Sequence, residues 1–219
     1  MRAVPWWGVV SAAAAPVVMA AGWTIAAALQ PGPYNPVADT VSALAAPGSA
    51  DRWVMTLAFV VVGVCDVVTG LALRPARATG RLILIAGGLA GVLIAAYPEH
   101  PGIRFPVPHM ISAGIGGAAL VAWSAWAWRR GPAVPWGLRP AVSAAAVAVL
   151  AVLLAWFGAE LAVAGGQAGL AERVFGGAQA LWPLAVVASC CYAARAGAAR
   201  ALARPERVSS QEAGPGPRA

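Results

Sequence analysis

Two histidines and several acids, all in connections between long apolar segments, are the side chains with the most scope for chemistry. His100 and His109 lie nine positions apart beside Glu99, and with an acid from another connection they could bind a divalent metal. Ser42, His109 and Asp39 could instead supply a nucleophile, a base and an orienting carboxylate. No HExxH, HxxxH or GxSxG motif is present, so helix capping and pairing at lipid headgroups is the simpler interpretation. The residues assign neither a metal nor a cofactor.

A polar stripe near the C-terminus adds a fourth catalytic candidate, Glu172. Glu172, Gly176, Gln179 and Pro183 recur on one helix face, and a polar stripe on a membrane helix should face the bundle. This pattern predicts a polar lining to a cavity. Alternatively, Glu172 only complements the helix dipole while Arg173 reaches the interface. The candidate binding residues are Glu99, His100, Arg104, Arg173 and Gln179.

The elements that position these residues are six apolar segments. The chain has 219 residues, of which 60% are hydrophobic and only 11% are charged, which suits a lipid environment better than water. A membrane-spanning helix needs about 20 apolar residues. We therefore predict an all-α integral membrane protein with one domain over 1–197 and a disordered basic tail over 198–219. The predicted spans are approximately 6–29, 53–73, 80–97, 108–128, 139–159 and 173–194.

The positive charges predict the orientation of this bundle. Twelve of the fifteen arginines lie in the termini and alternate connections, and only Arg52, Arg104 and Arg173 lie in the other three connections. Short basic connections remain in the cytoplasm, so both termini are predicted to be cytoplasmic. Arginines distributed by topology do not form a nucleic-acid-binding stripe. The alanine-rich, lysine-free composition is typical of a bacterial protein, here one of the inner membrane.

The first outer connection, Gln30–Arg52, has the most distinctive sequence. Three prolines exclude a regular helix at its start. From Asn35 or Asp39 a short amphipathic helix is predicted to run through Ala46 and end at Pro47–Gly48. Its apolar side would comprise Val37, Val41 and Leu44. Such a helix would lie against the outer face of the bundle.

Small and acidic residues inside the spans suggest how the helices pack. Gly87 and Gly91 in the third span, with Gly116 in the fourth, would let these two helices approach closely. Asp66 is the one acid inside a span. Because burying a carboxylate is costly, we expect it to be paired or protonated, in a structural hydrogen bond with a neighbouring helix or, alternatively, in a proton relay.

The order of three motifs resembles a bacterial membrane family, domain of unknown function 998. The motifs are Tyr34–Ala46 with its Asp-Thr-Val-Ser-Ala-Leu, the connection ending at His109, and Gly169–Arg173 followed by Trp182–Pro183. The resemblance implies a compact multi-span protein and supplies no catalytic roles. It draws attention to the outer end, where the titratable residues also gather.

Two classes of function follow from these patterns. The first is binding of a lipid or a protein partner in a polar cavity at the extracytoplasmic end, with membrane lipids or a second copy of the chain as partners. The alternative is an intramembrane hydrolase or transferase that acts on lipid or envelope substrates with Ser42, His109 and the outer acids. Whether the protein is an enzyme is left open. Convergence of Ser42, His109 and Glu172 within hydrogen-bond reach would favour the enzyme.

Overall fold

The computed structural model describes residues 3–100, 102–103, 106–163 and 166–202. Six long helices account for most of them, each long and apolar enough to cross a membrane, which confirms the predicted all-α architecture with six helices of membrane-spanning length. They are α1 Trp6–Ala28, α2 Trp53–Ala72, α3 Ala78–Ala96, α4 Val107–Ala127, α5 Pro140–Val163 and α6 Ala168–Leu202. Two short 3-10 helices, Ser42–Ala45 and Trp136–Leu138, lie in the connections. Most of the predicted tail, from 203 onward, lies outside the described residues.

The helices form a closed ring in chain order. Each packs against its neighbours in sequence, and α6 returns to pack against α1. Residues 29–52, the described residues of the α3–α4 connection (97–100, 102–103 and 106) and residues 166–167 therefore lie at one end of the bundle, which we call the polar end. Connections 73–77 and 128–139, with the end of α6, form the opposite arginine end.

Helix α3 makes close backbone contacts with both of its neighbours through glycines. A Cβ atom on Gly88 would lie 2.5 Å from the carbonyl oxygen of Gly63 in α2, and one on Gly80 would lie 2.5 Å from the backbone of Ala127 in α4. Real side chains do not tolerate such distances, so only glycine permits this backbone contact. Gly88, rather than Gly91, gives the closest approach to α2.

Helix α5 is the least enclosed helix of the ring. It is apolar along its length, yet only Ser143 and Leu150 of its residues are buried. Leu150 packs with Val121 of α4 and Phe175 of α6. The other residues of α5 are exposed or half-buried, which suits contact with lipid.

Asp66 is buried in α2, with 4% of its surface exposed. No described residue donates a hydrogen bond to its carboxylate, so the expected bond to a neighbouring helix is not formed there. Close by, the hydroxyl of Ser11 in α1 donates to the carbonyl of Cys65, at 2.8 Å. The polar contact between α1 and α2 therefore uses Ser11 and not the carboxylate.

Arginines at the arginine end have structural roles beyond topology. The guanidinium of Arg81 donates to the carbonyl oxygens of Gly70 and Leu71, both at 2.8 Å. The guanidinium of Arg129 donates to the carbonyl of Ala76 at 3.3 Å. The last carbonyls of a helix have no partner within it, and cations near this end are favoured by the helix dipole. Arg81 therefore caps the C-terminal end of α2.

Candidate functional site

The polar end is organised by the contact between loop 34–46 and the first turns of α6. The backbone N–H of Leu170 donates to the carbonyl oxygen of Val37 at 3.0 Å. The neighbouring Gly169 approaches the carbonyl of Asp39 so closely that a Cβ atom would collide with it. A glycine at 169 is therefore required for this loop to reach the helix. Helix α6 begins at Ala168 and not near 173, so all the residues of α6 that contact the loop lie within its first turns.

Arg173 holds the loop through its backbone. Its Nη1 atom donates to the carbonyl oxygens of Pro36 at 2.7 Å and Asp39 at 3.2 Å, and also to that of Gly169 at 2.9 Å. A guanidinium has five donors in a rigid fork, which suits several fixed acceptors at once. Arg173 therefore fixes the course of the loop instead of only reaching for the interface, as the simpler interpretation supposed.

Tyr34 completes this arrangement from the start of the loop. Its hydroxyl oxygen accepts a hydrogen bond from Arg173 at 2.5 Å and lies 3.1 Å and 3.0 Å from the carbonyls of Asp39 and Thr40. The guanidinium carbon also lies 5.6 Å from the centre of the tyrosine ring, a cation–π distance. Burial raises the pKa of Tyr34, although the neighbouring Arg173 opposes the rise. The hydroxyl therefore remains a donor to the loop carbonyls at neutral pH.

Glu172, which precedes Arg173 in α6, binds the start of the 3-10 helix Ser42–Ala45. Its carboxylate accepts hydrogen bonds from the backbone N–H of Val41 at 2.5 Å and from the hydroxyl of Ser42 at 2.9 Å. The first N–H groups of a helix have no partner within it, and an acceptor placed there satisfies them. Glu172 thus acts as a cap supplied from a distant part of the chain.

Glu99 and His109 form a carboxylate–imidazole pair beside loop 34–46. The Nε2 atom of His109 lies 3.7 Å from the Oε1 atom of Glu99, and its Nδ1 atom lies 2.9 Å from the carbonyl oxygen of Tyr97. The hydroxyl of Thr40 donates to the Oε2 atom of Glu99 over a long 3.4 Å. Burial raises the pKa of Glu99, while His109 and the Thr40 hydroxyl lower it. Thr40, Val41 and Ser42 therefore present successive donors to two carboxylates.

The structure brings together some of the predicted site residues and separates others. Ser42 and Glu172 are hydrogen-bonded, but within the described residues no hydrogen bond connects Ser42 with His109. The carboxylate of Asp39 accepts from the backbone N–H of Asn35 at 2.7 Å and is not directed at Ser42. The predicted helix is a single 3-10 turn, Ser42–Ala45, because Asp39 closes a turn with Asn35 instead of capping a helix.

The remaining candidates lie apart. His100 is exposed, and its Nδ1 atom lies 3.1 Å from the carbonyl of Pro98. Gln179 donates to the carbonyl of Gly117 in α4 at 3.2 Å, so this residue of the α6 stripe faces the bundle, whereas a Cβ atom on Gly176 would meet open space. Arg104 lies outside the described residues. Among the residues described, no three metal-binding side chains come together.

Sequence patterns did not identify Thr40 and Tyr34 as members of this site. Thr40 accepts from the backbone N–H of Ala43 at 3.1 Å while its hydroxyl faces Glu99. Tyr34 is the first residue of the family-like motif. Its partners are two backbone carbonyls and the guanidinium of Arg173, and contacts with backbone groups leave no side-chain pattern in the sequence.

A cavity of about 360 Å³ opens beside this site. The residues that line it come from 43–49 in the α1–α2 connection and from the α3–α4 connection. They are Ala43, Ala46, Pro47, Gly48, Ser49, Glu99 and His100. Small apolar groups thus form one side, and a carboxylate with an imidazole forms the other.

Six apolar helices in a ring, with polar connections packed at one end, define a multi-pass membrane protein. The family model described as "Protein of unknown function (DUF998)" matches residues 13–189, and the chain belongs to this family. The match extends from α1 into α6 and includes both loop 34–46 and residues 169–173. No curated protein and no solved structure matches the chain.

Proposed function

We propose that this protein is a bacterial inner-membrane protein whose polar end faces away from the cytoplasm and binds the headgroup of a lipid there. The orientation is supported by the arginines of the arginine end, since basic connections resist translocation. Binding is supported by the cavity, whose volume of about 360 Å³ falls within the range of small-ligand pockets. A site of this size suits a headgroup better than a protein segment.

Glu99 is the residue that best indicates which headgroup chemistry the cavity would bind. Its side chain retains 31% of its surface exposure and lines the cavity. A carboxylate has about four acceptor positions, and His109 and Thr40 face only part of them. The remaining acceptors face the cavity, so a headgroup with an ammonium or another donor fits. The apolar Ala46 and Pro47 on the other side suit the glycerol and acyl part of such a lipid.

Catalysis has less support from the same geometry. Neither Ser42 nor His109 lines the cavity, and both are buried. The hydroxyl of Ser42 donates to Glu172, which is itself occupied by the backbone of Val41. A substrate in the cavity would therefore not meet this hydroxyl, and these groups serve the loop instead.

Reporter fusions test the orientation. A periplasm-active alkaline phosphatase inserted after Gly32, an exposed position of the first connection with open space around it, is expected to be active. The same reporter placed after Leu202 is expected to be inactive, because the arginine end stays in the cytoplasm. A cytoplasm-active fluorescent reporter at both positions provides the control. The opposite pattern of activity would reverse the orientation.

A lipid-protection experiment tests binding. We expect phosphatidylethanolamine to raise the Tm of the purified protein in detergent micelles, because a ligand that binds only the folded state stabilises it. Glu99→Gln should lose most of this shift, since the cavity then lacks its carboxylate. Asp51→Asn is the matched control: it removes an exposed carboxylate of the same end that contacts Trp53 outside the cavity. An equal shift in Glu99→Gln and wild type would contradict the proposal, as would no shift in wild type.

A further inference from the structure

Two arginines share one indole at the arginine end. The guanidinium carbon of Arg77 lies 5.5 Å from the centre of the Trp128 ring, and that of Arg130 lies 5.1 Å from it. They come from different connections, α2–α3 and α4–α5. The backbone N–H of Arg77 donates to the carbonyl of Ala127 at 3.1 Å, which fixes the first connection beside the end of α4.

Neither guanidinium has a counter-charge among the described residues. The one pair of an acidic and a basic side chain within 4.0 Å there is Glu99 with His109 at the polar end. No described residue accepts a hydrogen bond from the side chain of Arg77 or of Arg130, and both residues are exposed. Two like charges held at one ring repel each other unless an anion lies between or beside them.

The arrangement fits a phosphate group at the level of lipid headgroups. Stacking on an indole fixes the plane of a guanidinium and leaves its N–H edge free to donate. Phosphate oxygens accept such forked donors with short, charge-assisted hydrogen bonds. Trp128 directly follows the last residue of α4, where tryptophans prefer the membrane interface.

We propose that Arg77, Trp128 and Arg130 form a binding site for a phosphate group, supplied by an anionic phospholipid of the leaflet at the arginine end. The site is separate from the polar-end cavity and does not depend on it. Its ligand class also differs, because the polar-end cavity offers a carboxylate and this site offers only cations. Arg81 and Arg129 do not belong to it, since their guanidiniums are bonded to backbone carbonyls.

Native mass spectrometry of the full chain in detergent tests this site by titration with phosphatidylglycerol. The double variant Arg77→Gln/Arg130→Gln is expected to bind this lipid about tenfold more weakly than wild type. The matched control, Arg74→Gln/Arg139→Gln, removes the same charge from exposed positions of the same two connections and should bind as wild type does. Arg77→Lys/Arg130→Lys keeps the charge but not the fork, so it should also lose most of the affinity.

Titrations with two further ligands identify the source of the phosphate group. Phosphatidylcholine, which carries no net charge, should bind weakly to every variant, and inorganic phosphate should compete with phosphatidylglycerol only at much higher concentration. Inorganic phosphate binding as tightly as the lipid would assign the site to a soluble phosphate compound instead. Equal losses in the Arg77/Arg130 and Arg74/Arg139 glutamine variants would overturn the site, because they would show that only total charge matters. Melting curves of each variant confirm that the protein is folded.

Discussion

Replacing Arg173 with alanine is expected to lower the free energy of unfolding by about 3 kcal/mol. The change leaves the carbonyls of Pro36 and Asp39 without their donor and removes the cation from the ring of Tyr34. Hydrogen bonds to charged groups are stronger than neutral ones. Thermal unfolding in detergent measures the loss, and faster protease cleavage within loop 34–46 should accompany it.

Two matched variants sharpen this prediction. Arg173→Lys should recover less than half of the lost stability, because one ammonium cannot serve the several acceptors that the guanidinium fork reaches. Arg52→Ala removes an exposed arginine from the same end whose guanidinium bonds to no described residue, and should change stability by less than about 0.5 kcal/mol. If Arg173→Ala and Arg52→Ala have the same Tm, Arg173 does not hold the loop.

Replacing Glu172 with alanine is expected to cost about 2–3 kcal/mol, because the N–H of Val41 and the hydroxyl of Ser42 both lose their acceptor. Glu172→Gln should cost less, since one amide oxygen still accepts while the amide nitrogen meets a donor. Calorimetry or thermal unfolding measures both. The matched control is Glu160→Ala at the same end, whose carboxylate accepts one exposed hydrogen bond from Gln167.

A double-mutant cycle isolates the hydrogen bond between Ser42 and Glu172. If Ser42→Ala is combined with Glu172→Ala, the two losses should fall short of additivity by about 1 kcal/mol, since each variant already removes the same bond. Full additivity would mean that the two side chains stabilise the protein independently. The backbone bond to Val41 remains in Ser42→Ala, so this variant alone should be milder than Glu172→Ala.

The six helices could be predicted from sequence because a membrane permits few alternatives. Every backbone polar group in the hydrocarbon must be paired within its own segment, so an apolar stretch of sufficient length becomes a helix. Helix ends were less predictable. Helix α6 starts at Ala168, before the polar Glu172 and Arg173 that marked the expected start, because the loop provides partners for both residues there.

The grouping of these candidate residues at one end of the bundle could be predicted from sequence, but the hydrogen bonds between them could not. Sequence placed Ser42, Glu99, His109 and Glu172 at one end, and the structure gathers them around one loop. It could not show which acid meets which donor, because those pairings depend on the relative height and rotation of different helices. Glu172 therefore pairs with Ser42, while His109 pairs with Glu99, and the predicted set of Ser42, His109 and Asp39 is divided among three partners.

The contact between loop 34–46 and α6 also sets an order for biogenesis. Its hydrogen bonds join residues that are 130 to 139 positions apart. The chain is synthesised from its N-terminus, so loop 34–46 is made directly after the first span. Four more spans are then made before the α6 residues that bind the loop. Only when the sixth helix begins do Gly169, Glu172 and Arg173 become available. The polar end therefore cannot be completed before the sixth helix begins, although it contains some of the first residues to be synthesised.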